Sequence, residues 1–237
     1  MSHRHTVLPP SLRASRVKQR ARVRRALFAL RLALVSVGPL ARRAIDVVAV
    51  GLGLVLVAPI LALAALAIRW ESPGPVLFAQ ERLGQHGRRF RLYKLRTMFH
   101  GADAQKTALA AARRDATDGV RFKLRRDPRV TRVGRVLRKL SIDELPQLWN
   151  VLIGDMTLVG PRPPVRREVD LYDTRALRRL EVRPGLTCLW QVGGRSDLSF
   201  EQQVELDLRY IDLVSASEEV AIVARTIPAV LTGRGAY

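Results

Sequence analysis

Two carboxylates stand side by side at Asp143 and Glu144, and a stiffened cation follows them at Pro161-Arg162-Pro163, within residues 140–164, LSIDELPQLWNVLIGDMTLVGPRPP. A carboxylate can attack phosphorus directly and form an acyl-phosphate, which divides one group transfer into two easier steps. The charge that accumulates on the phosphoryl oxygens is then stabilised by magnesium and by arginines, and magnesium is content with one or two carboxylates plus substrate phosphates. The chain holds these ingredients without a P-loop or a glycine-rich nucleotide fingerprint. Taken alone, the acid pair reads more readily as a helix cap and its solvated neighbour, since caps are far commoner than nucleophiles.

The elements around the pair must position it. Pro146 fits only the first turn of a helix, so the spacing predicts a helix that starts near Asp143. Leu145, Leu148, Trp149, Leu152 and Ile153 then share one face, and Gly154 ends it. In that register the acids sit at the positive end of the helix, which favours ionised carboxylates and holds phosphate. Upstream, residues 76–83 and 89–98 read as strands of a hairpin turned by Gly84-Gln85-His86-Gly87. Alternation puts Lys94 and Arg96 on one side of the second strand, a pair suited to a diphosphate, with a plain solvated basic face as the alternative. Val133, Val136, Leu137 and Leu140 suit a short helix that delivers Arg138 and Lys139 beside the acids. Asp103 reads as a solvated acid, and His3, His5, His86 and His100 have no metal-ligand spacing.

Composition narrows the partners. The 237 residues carry a formal charge of +20, so an anionic partner is required. Nucleic acid is disfavoured: aromatics make up only 5% and no zinc-finger, RNA-recognition or basic-zipper pattern occurs. One cysteine, Cys188, excludes an internal disulfide and reads as a small core residue. Residues 1–43 hold eleven Arg or Lys and no acid, with Val23, Leu27, Leu30 and Leu34 at helical spacing, as in a basic segment lying on an anionic lipid bilayer.

Residues 44–68 are apolar over a membrane-spanning length, with Asp46 the one charge. Pro59 divides them into arms of roughly 22 and 14 Å against a hydrocarbon core of about 30 Å. Arg42 and Arg43 precede the segment, and Arg69, Arg82, Arg88, Arg89 and Arg91 follow it. Positive charge at both ends predicts that both lie on the cytoplasmic side, as a re-entrant helix bent at Pro59 would place them, with one spanning helix as the alternative.

Towards the C-terminus, residues 165–180 read as helical with a solvated charged face, and 186–192 as a short strand with Trp190 packed. Gly193-Gly194-Arg195 is a weak anion cradle. Ser199 and Gln202 form a capping box for a helix to about Val214. Residues 218–231 are amphipathic and interrupted at Pro228, suited to a bilayer interface.

Four stretches carry a resemblance over roughly residues 44–237: SPGPVLFAQERLGQHGRRFRLYKLRTM, DPRVTRVGRVLRK, RKLSIDELPQLWNVLIGDMTLVGPRP and RPGLTCLWQVGGRSDLSFEQQVELDLRYI. Together they resemble the bacterial sugar transferases known as monotopic polyprenyl-phosphate phosphoglycosyl transferases. The resemblance implies an α+β, mainly helical, monotopic membrane enzyme with a re-entrant N-terminal helix, interfacial amphipathic helices and a small β-hairpin. Its parts would be a basic tail (1–43), a re-entrant helix (44–69) and a catalytic domain (70–237). It departs from the family at Ala58, where a serine usually precedes the proline of the bend.

The resemblance further implies that Asp143 attacks the β-phosphate of a UDP-sugar, releasing UMP, and that a polyprenyl (undecaprenyl) phosphate takes the phosphosugar from the enzyme. Glu144, with Asp143, would hold magnesium (Mg2+). Lys94, Arg96, Arg138 and Arg162 would contact phosphate or nucleotide. The expected location is the bacterial cytoplasmic membrane, with catalysis on its cytoplasmic side. A homo-oligomer is compatible with the sequence. A catalytically silent scaffold of a polysaccharide assembly complex and a basic membrane-associated nucleic-acid-binding protein are the alternatives.

Overall fold

The computed structural model describes residues 38–102, 127–194, 197–213 and 215–232. The basic segment around residues 23–34, Asp103, His3, His5 and Arg195 lie outside the described residues.

One long apolar helix, α1 (Pro39–Glu71), dominates the molecule and is long and apolar enough to cross a membrane. It starts before Ala44, with Pro39 where a missing N–H is harmless, and it continues through Pro59 as one helix. At roughly 1.5 Å per residue it would extend about 50 Å if straight. One of its faces is packed. Val50, Leu54 and Val57 join Phe90, Leu92, Leu148, Val151 and Met156 in one core, while Leu61, Ala64 and Ile68 meet Leu95, Leu137 and Ile142 in another. The other face leaves Leu52, Val55, Leu56, Leu63 and Leu66 exposed.

Polar bonds hold both ends of α1 to the rest of the chain. At the start, the Arg43 guanidinium donates to the carbonyls of Val151 (2.5 Å) and Leu152 (2.6 Å), and Asp46 accepts from the Thr157 hydroxyl at 2.7 Å. At the end, the Glu71 carboxylate accepts from the backbone N–H groups of Arg132 (2.7 Å) and Val133 (2.8 Å).

The hairpin follows. Strands β1 (Leu77–Leu83) and β2 (Arg89–Leu95) are antiparallel, with Phe78 opposite Lys94, and His86 takes the left-handed conformation in the turn. The second strand stops at Leu95 instead of Met98; Met98 instead bridges to Val130. Helix α2 (Arg132–Lys139) begins with Thr131 accepting from the Gly134 N–H. Gly134 is required there, since a Cβ would lie 2.1 Å from the Thr97 carbonyl oxygen.

After α2 comes a single 3₁₀ turn, Ile142–Glu144, and only then α3 (Gln147–Ile153). The helix therefore starts later than the sequence predicts. Pro146 occupies its N-cap, and the acid pair belongs to the preceding turn. Two short strands, β3 (Thr157–Val159) and β4 (Gly185–Thr187), pair in parallel. Gly160 and Gly185 allow this approach, since a Cβ on Gly185 would meet the Gly160 nitrogen at 2.0 Å.

Between these strands the chain forms α4 (Arg166–Val169), α5 (Thr174–Leu177) and a 3₁₀ turn (Arg178–Leu180), short pieces in place of one charged helix. Its charges are not all solvated. Arg179 is buried against Asp207, with Nε 2.9 Å from a carboxylate oxygen. The predicted strand at 186–192 is replaced after Thr187 by α6 (Leu189–Gly193), which does bury Trp190. Helix α7 (Phe200–Leu213) starts on the expected box, with the Ser199 N–H donating to Gln202 Oε1 at 2.9 Å. Finally α8 (Ala216–Thr232) runs on through Pro228. Among the described residues the protein is thus mostly helical, with two small two-stranded sheets.

Candidate active site

The acid turn is a product of its backbone. Ser141 adopts φ 53°, a conformation uncommon for a residue with a side chain, and reverses the chain directly after α2. The Glu144 N–H then donates to the Ser141 carbonyl and the Leu145 N–H to that of Ile142. This tight turn directs Asp143 inward, where it is buried, and leaves Glu144 partly open.

Lys94 reaches the turn from β2 and places its Nζ 2.7 Å from Glu144 Oε1. The strand is held there by Asn150 of α3, which is fully buried. Its Oδ1 accepts from the Tyr93 N–H at 3.1 Å and its Nδ2 donates to the Arg91 carbonyl at 2.7 Å. The side chain amide thus pairs with the free edge of β2 as a neighbouring strand would. Arg138, from the last turn of α2, donates from Nε to the Thr97 hydroxyl at 3.0 Å.

Burial pushes the Asp143 carboxyl up to about 6; Lys94 opposes that rise, Glu144 adds to it, and Arg138 opposes it again. Desolvation wins because a carboxylate loses more hydration at a buried position than nearby cations restore. Burial likewise lowers the Arg138 guanidinium from its ordinary value.

Arg162 is presented by a loop whose three prolines cannot donate. Its carbonyls are held instead: Pro161 accepts from the Gly185 N–H (3.0 Å), Pro163 from Arg82 (2.9 Å) and Pro164 from the Leu83 N–H (2.9 Å). With the backbone pinned, Arg162 loses less freedom on binding an anion. The sequence offers Arg82 only as a flanking charge. It is buried, bonded also to Gln80 at 2.7 Å, and lowered to about 10, chiefly by burial and then by Arg162.

Lys94, Arg96, Arg138, Asp143, Glu144 and Arg162 all border one cavity of about 1170 Å³. Within it Arg96 stands apart from Lys94, since its guanidinium donates to the carbonyls of Ser72 (2.7 Å) and Pro73 (2.6 Å), where α1 ends. The hairpin pairing continues through Arg96, whose N–H donates to the Val76 carbonyl at 2.8 Å, so it is these bonds of the guanidinium that keep Arg96 from pairing with Lys94.

Among the described residues no group of three or more His, Cys, Asp or Glu is placed to hold a metal ion. Magnesium takes one or two protein carboxylates and completes its shell with water and substrate phosphate, so Asp143 and Glu144 are the residues that would hold it.

The family model described as bacterial sugar transferase matches residues 37–233. The exopolysaccharide production protein ExoY of Rhizobium meliloti (strain 1021) is 42% identical over 203 residues, covering 85% of this chain and 90% of that protein. The UDP-glucose:undecaprenyl-phosphate glucose-1-phosphate transferase of Caulobacter vibrioides is 47% identical over 206 residues, covering 84% of this chain and 72% of that protein. A UDP-N-acetylgalactosamine-undecaprenyl-phosphate N-acetylgalactosaminephosphotransferase of Aeromonas hydrophila is 41% identical over 201 residues, covering 82% and 44% respectively. An acid turn, a pinned arginine loop and a long apolar helix on one cavity thus coincide with a match over most of the chain, and the protein belongs to the bacterial sugar transferase family of enzymes.

Proposed function

We propose that the protein transfers a sugar-1-phosphate from a UDP-sugar to a polyprenyl phosphate, such as undecaprenyl phosphate, through a covalent intermediate on Asp143, as a membrane step of exopolysaccharide or glycoconjugate synthesis. The observation that carries this reading is the burial of Asp143 between Lys94, Arg138 and Glu144, in the cavity that Arg162 also borders. In the first step a carboxylate oxygen of Asp143 bonds to the sugar-bearing phosphorus. The bond from that phosphorus to the bridging oxygen breaks, and UMP departs with the electron pair. In the second step a phosphate oxygen of the polyprenyl phosphate attacks the same phosphorus and returns the carboxylate.

Lys94, Arg138 and Arg162 border the same cavity as Asp143, so they would be the cations that stabilise negative charge on the transferring group. Glu144 and Asp143 would hold magnesium, which when bound neutralises diphosphate charge. Two of the relatives named above, those of Caulobacter vibrioides and Aeromonas hydrophila, are named for UDP-glucose or UDP-N-acetylgalactosamine with undecaprenyl phosphate, and this supports the donor and acceptor classes.

A monotopic placement on the cytoplasmic face completes the proposal. Both ends of α1 bind the same domain, Arg43 through Val151 and Leu152 and Glu71 through Arg132 and Val133. A helix that crossed the bilayer would have to part from that domain at one end.

The test is UMP release from a panel of UDP-sugars by detergent-solubilised protein with magnesium and undecaprenyl phosphate, beside Asp143→Asn. Release that requires the acid, and a mass increase of one phosphosugar on the wild-type chain, is expected. Release that persists in Asp143→Asn would remove the covalent route.

A further inference from the structure

Helix α3 turns two carboxamides inward. Gln147 and Asn150, three residues apart and so on one face, are buried, whereas Trp149 and Ile153 are exposed. Asn150 bonds the edge of β2, as described above. Gln147 is only 4% exposed, yet among the described residues its side-chain carboxamide has no hydrogen-bond partner. A carboxamide withdrawn from water without a partner is destabilising, and folded proteins leave few such groups.

A second, small space adjoins this side chain. It measures about 10 Å³ and is bordered by Gln147 together with Lys94, Glu144, Arg162 and Gln191. Those four also border the large cavity, and Gln147 does not. The residues that face the reacting groups are therefore shared walls, with Gln147 on the small space alone.

The volume is about what a single water molecule needs. The chemistry of the walls suits water as well. Lys94 and Arg162 donate, the Glu144 carboxylate accepts, and the two carboxamides do both. A metal ion there would meet the charges of Lys94 and Arg162, and a sugar or phosphate is far too large.

We propose that Gln147 holds one buried water against the Lys94–Glu144 pair, and that through this water Gln147 is a positioning residue for the transfer. This rests on the transferase reading above and adds what holds the pair from behind. Lys94 Nζ and Glu144 Oε1 are 2.7 Å apart, but both side chains stay partly exposed, so their bond alone leaves them free to move together. A water shared with Gln147 ties them to α3, whose Leu148 and Val151 belong to the core. Gln147 should accordingly act on the rate of transfer and leave the binding of either substrate unchanged.

Two measurements on the full-length protein test this. The first is an experimental structure at a resolution that shows ordered water. A water bonded to the Gln147 carboxamide and to Lys94 or Glu144 is expected. A space without water, a water that reaches neither member of the pair, or a Gln147 carboxamide bonded directly to protein overturns the proposal.

The second measurement is kinetic. Gln147→Met keeps the length of the side chain and removes both polar atoms. It should lower kcat for UMP release about tenfold and keep the KM for the UDP-sugar and for undecaprenyl phosphate within about twofold. In a Glu144→Ala background, where the pair no longer exists, the same substitution should lower kcat by less than about twofold. An unchanged kcat overturns the proposal, as does an equal loss in both backgrounds, which would make Gln147 a packing residue. Should Gln147→Met not fold, the wild-type structure decides alone. A wild type without turnover would sink the transferase reading and leave the structural test standing; turnover with no water at Gln147 would sink this inference alone.

Discussion

Lys94 Nζ stands 2.7 Å from Glu144 Oε1, one residue along from the buried carboxyl of Asp143. The lysine thus pairs with the more open acid and acts on the buried one only through space. Of the two charges that draw the Asp143 pKa down, Lys94 is the larger. Its removal should therefore drive Asp143 towards the neutral form. We expect Lys94→Met to slow UMP release about 100-fold at pH 7 and to move the acidic limb of the rate profile to higher pH. A slow variant with an unmoved limb would make Lys94 a phosphate contact alone.

Asp143 should set the pH dependence of the wild type. Its folded pKa of about 6 lies above the ordinary 3.8. Between these values the folded protein keeps a proton that the unfolded chain has lost, so this group's contribution to stability is present below the ordinary value and fades as pH rises through about 6. The attacking carboxylate accumulates over the same interval. Single-turnover UMP release without acceptor should rise through an apparent pKa near 6, and the Tm of Asp143→Asn relative to wild type should increase across that range.

Asp143→Asn should keep the fold and lose the chemistry. The amide matches the carboxylate in size but cannot form an acyl-phosphate, so turnover should fall at least about 1,000-fold, with no phosphosugar adduct on the intact chain. Glu144→Gln should weaken the response to magnesium and retain the adduct.

The buried pair Arg179–Asp207 should matter to stability more than to chemistry. Arg179 also donates to the Tyr172 hydroxyl at 2.7 Å, and burial of both charges leaves little water to replace a missing partner. Asp207→Ala should destabilise by about 3–5 kcal/mol in denaturant titration, because it leaves a buried guanidinium uncompensated. An apolar replacement of both, Arg179→Met with Asp207→Leu, should recover much of that loss.

The placement of α1 is open to labelling. Cys188 is buried, so cysteines introduced as Gly38→Cys and Pro73→Cys would be read against a silent background. A membrane-impermeant maleimide should reach both from the cytoplasmic face and neither from the other side. Labelling of one site from each face would establish a crossing.

The contrast between Ser199 and Asp207 shows where the sequence was legible. The Ser199–Gln202 box, the short helix α2 that carries Arg138 and the hairpin turn at His86 are all local patterns, and each is present, although Val136 of the predicted stripe is exposed. The acids, Arg138 and Arg162 border one cavity. What escaped was set by distant partners. Arg179 reads as one arginine among several until Asp207 is brought beside it, and Arg82 until the Pro163 carbonyl arrives. Asn150 lies on a helix by its spacing, yet its work is to close the edge of β2. The parallel pairing of β3 with β4 joins segments too short to show a strand period. Even Pro146 misled in part, since it marks the N-cap of α3 and leaves the acids in a separate 3₁₀ turn.

The bonds at the two ends of α1 have a mechanical meaning. Arg43 ties its start to the end of α3, and Glu71 ties its end to the start of α2, the helix that carries Arg138. The apolar helix is therefore no tether on which a catalytic head swings. It works as a keel, and the depth of Asp143 relative to that keel is set when the chain folds. On the proposed reading, a substrate dissolved in lipid would have to rise or tilt to meet the carboxylate, because the carboxylate would not dip to meet the substrate.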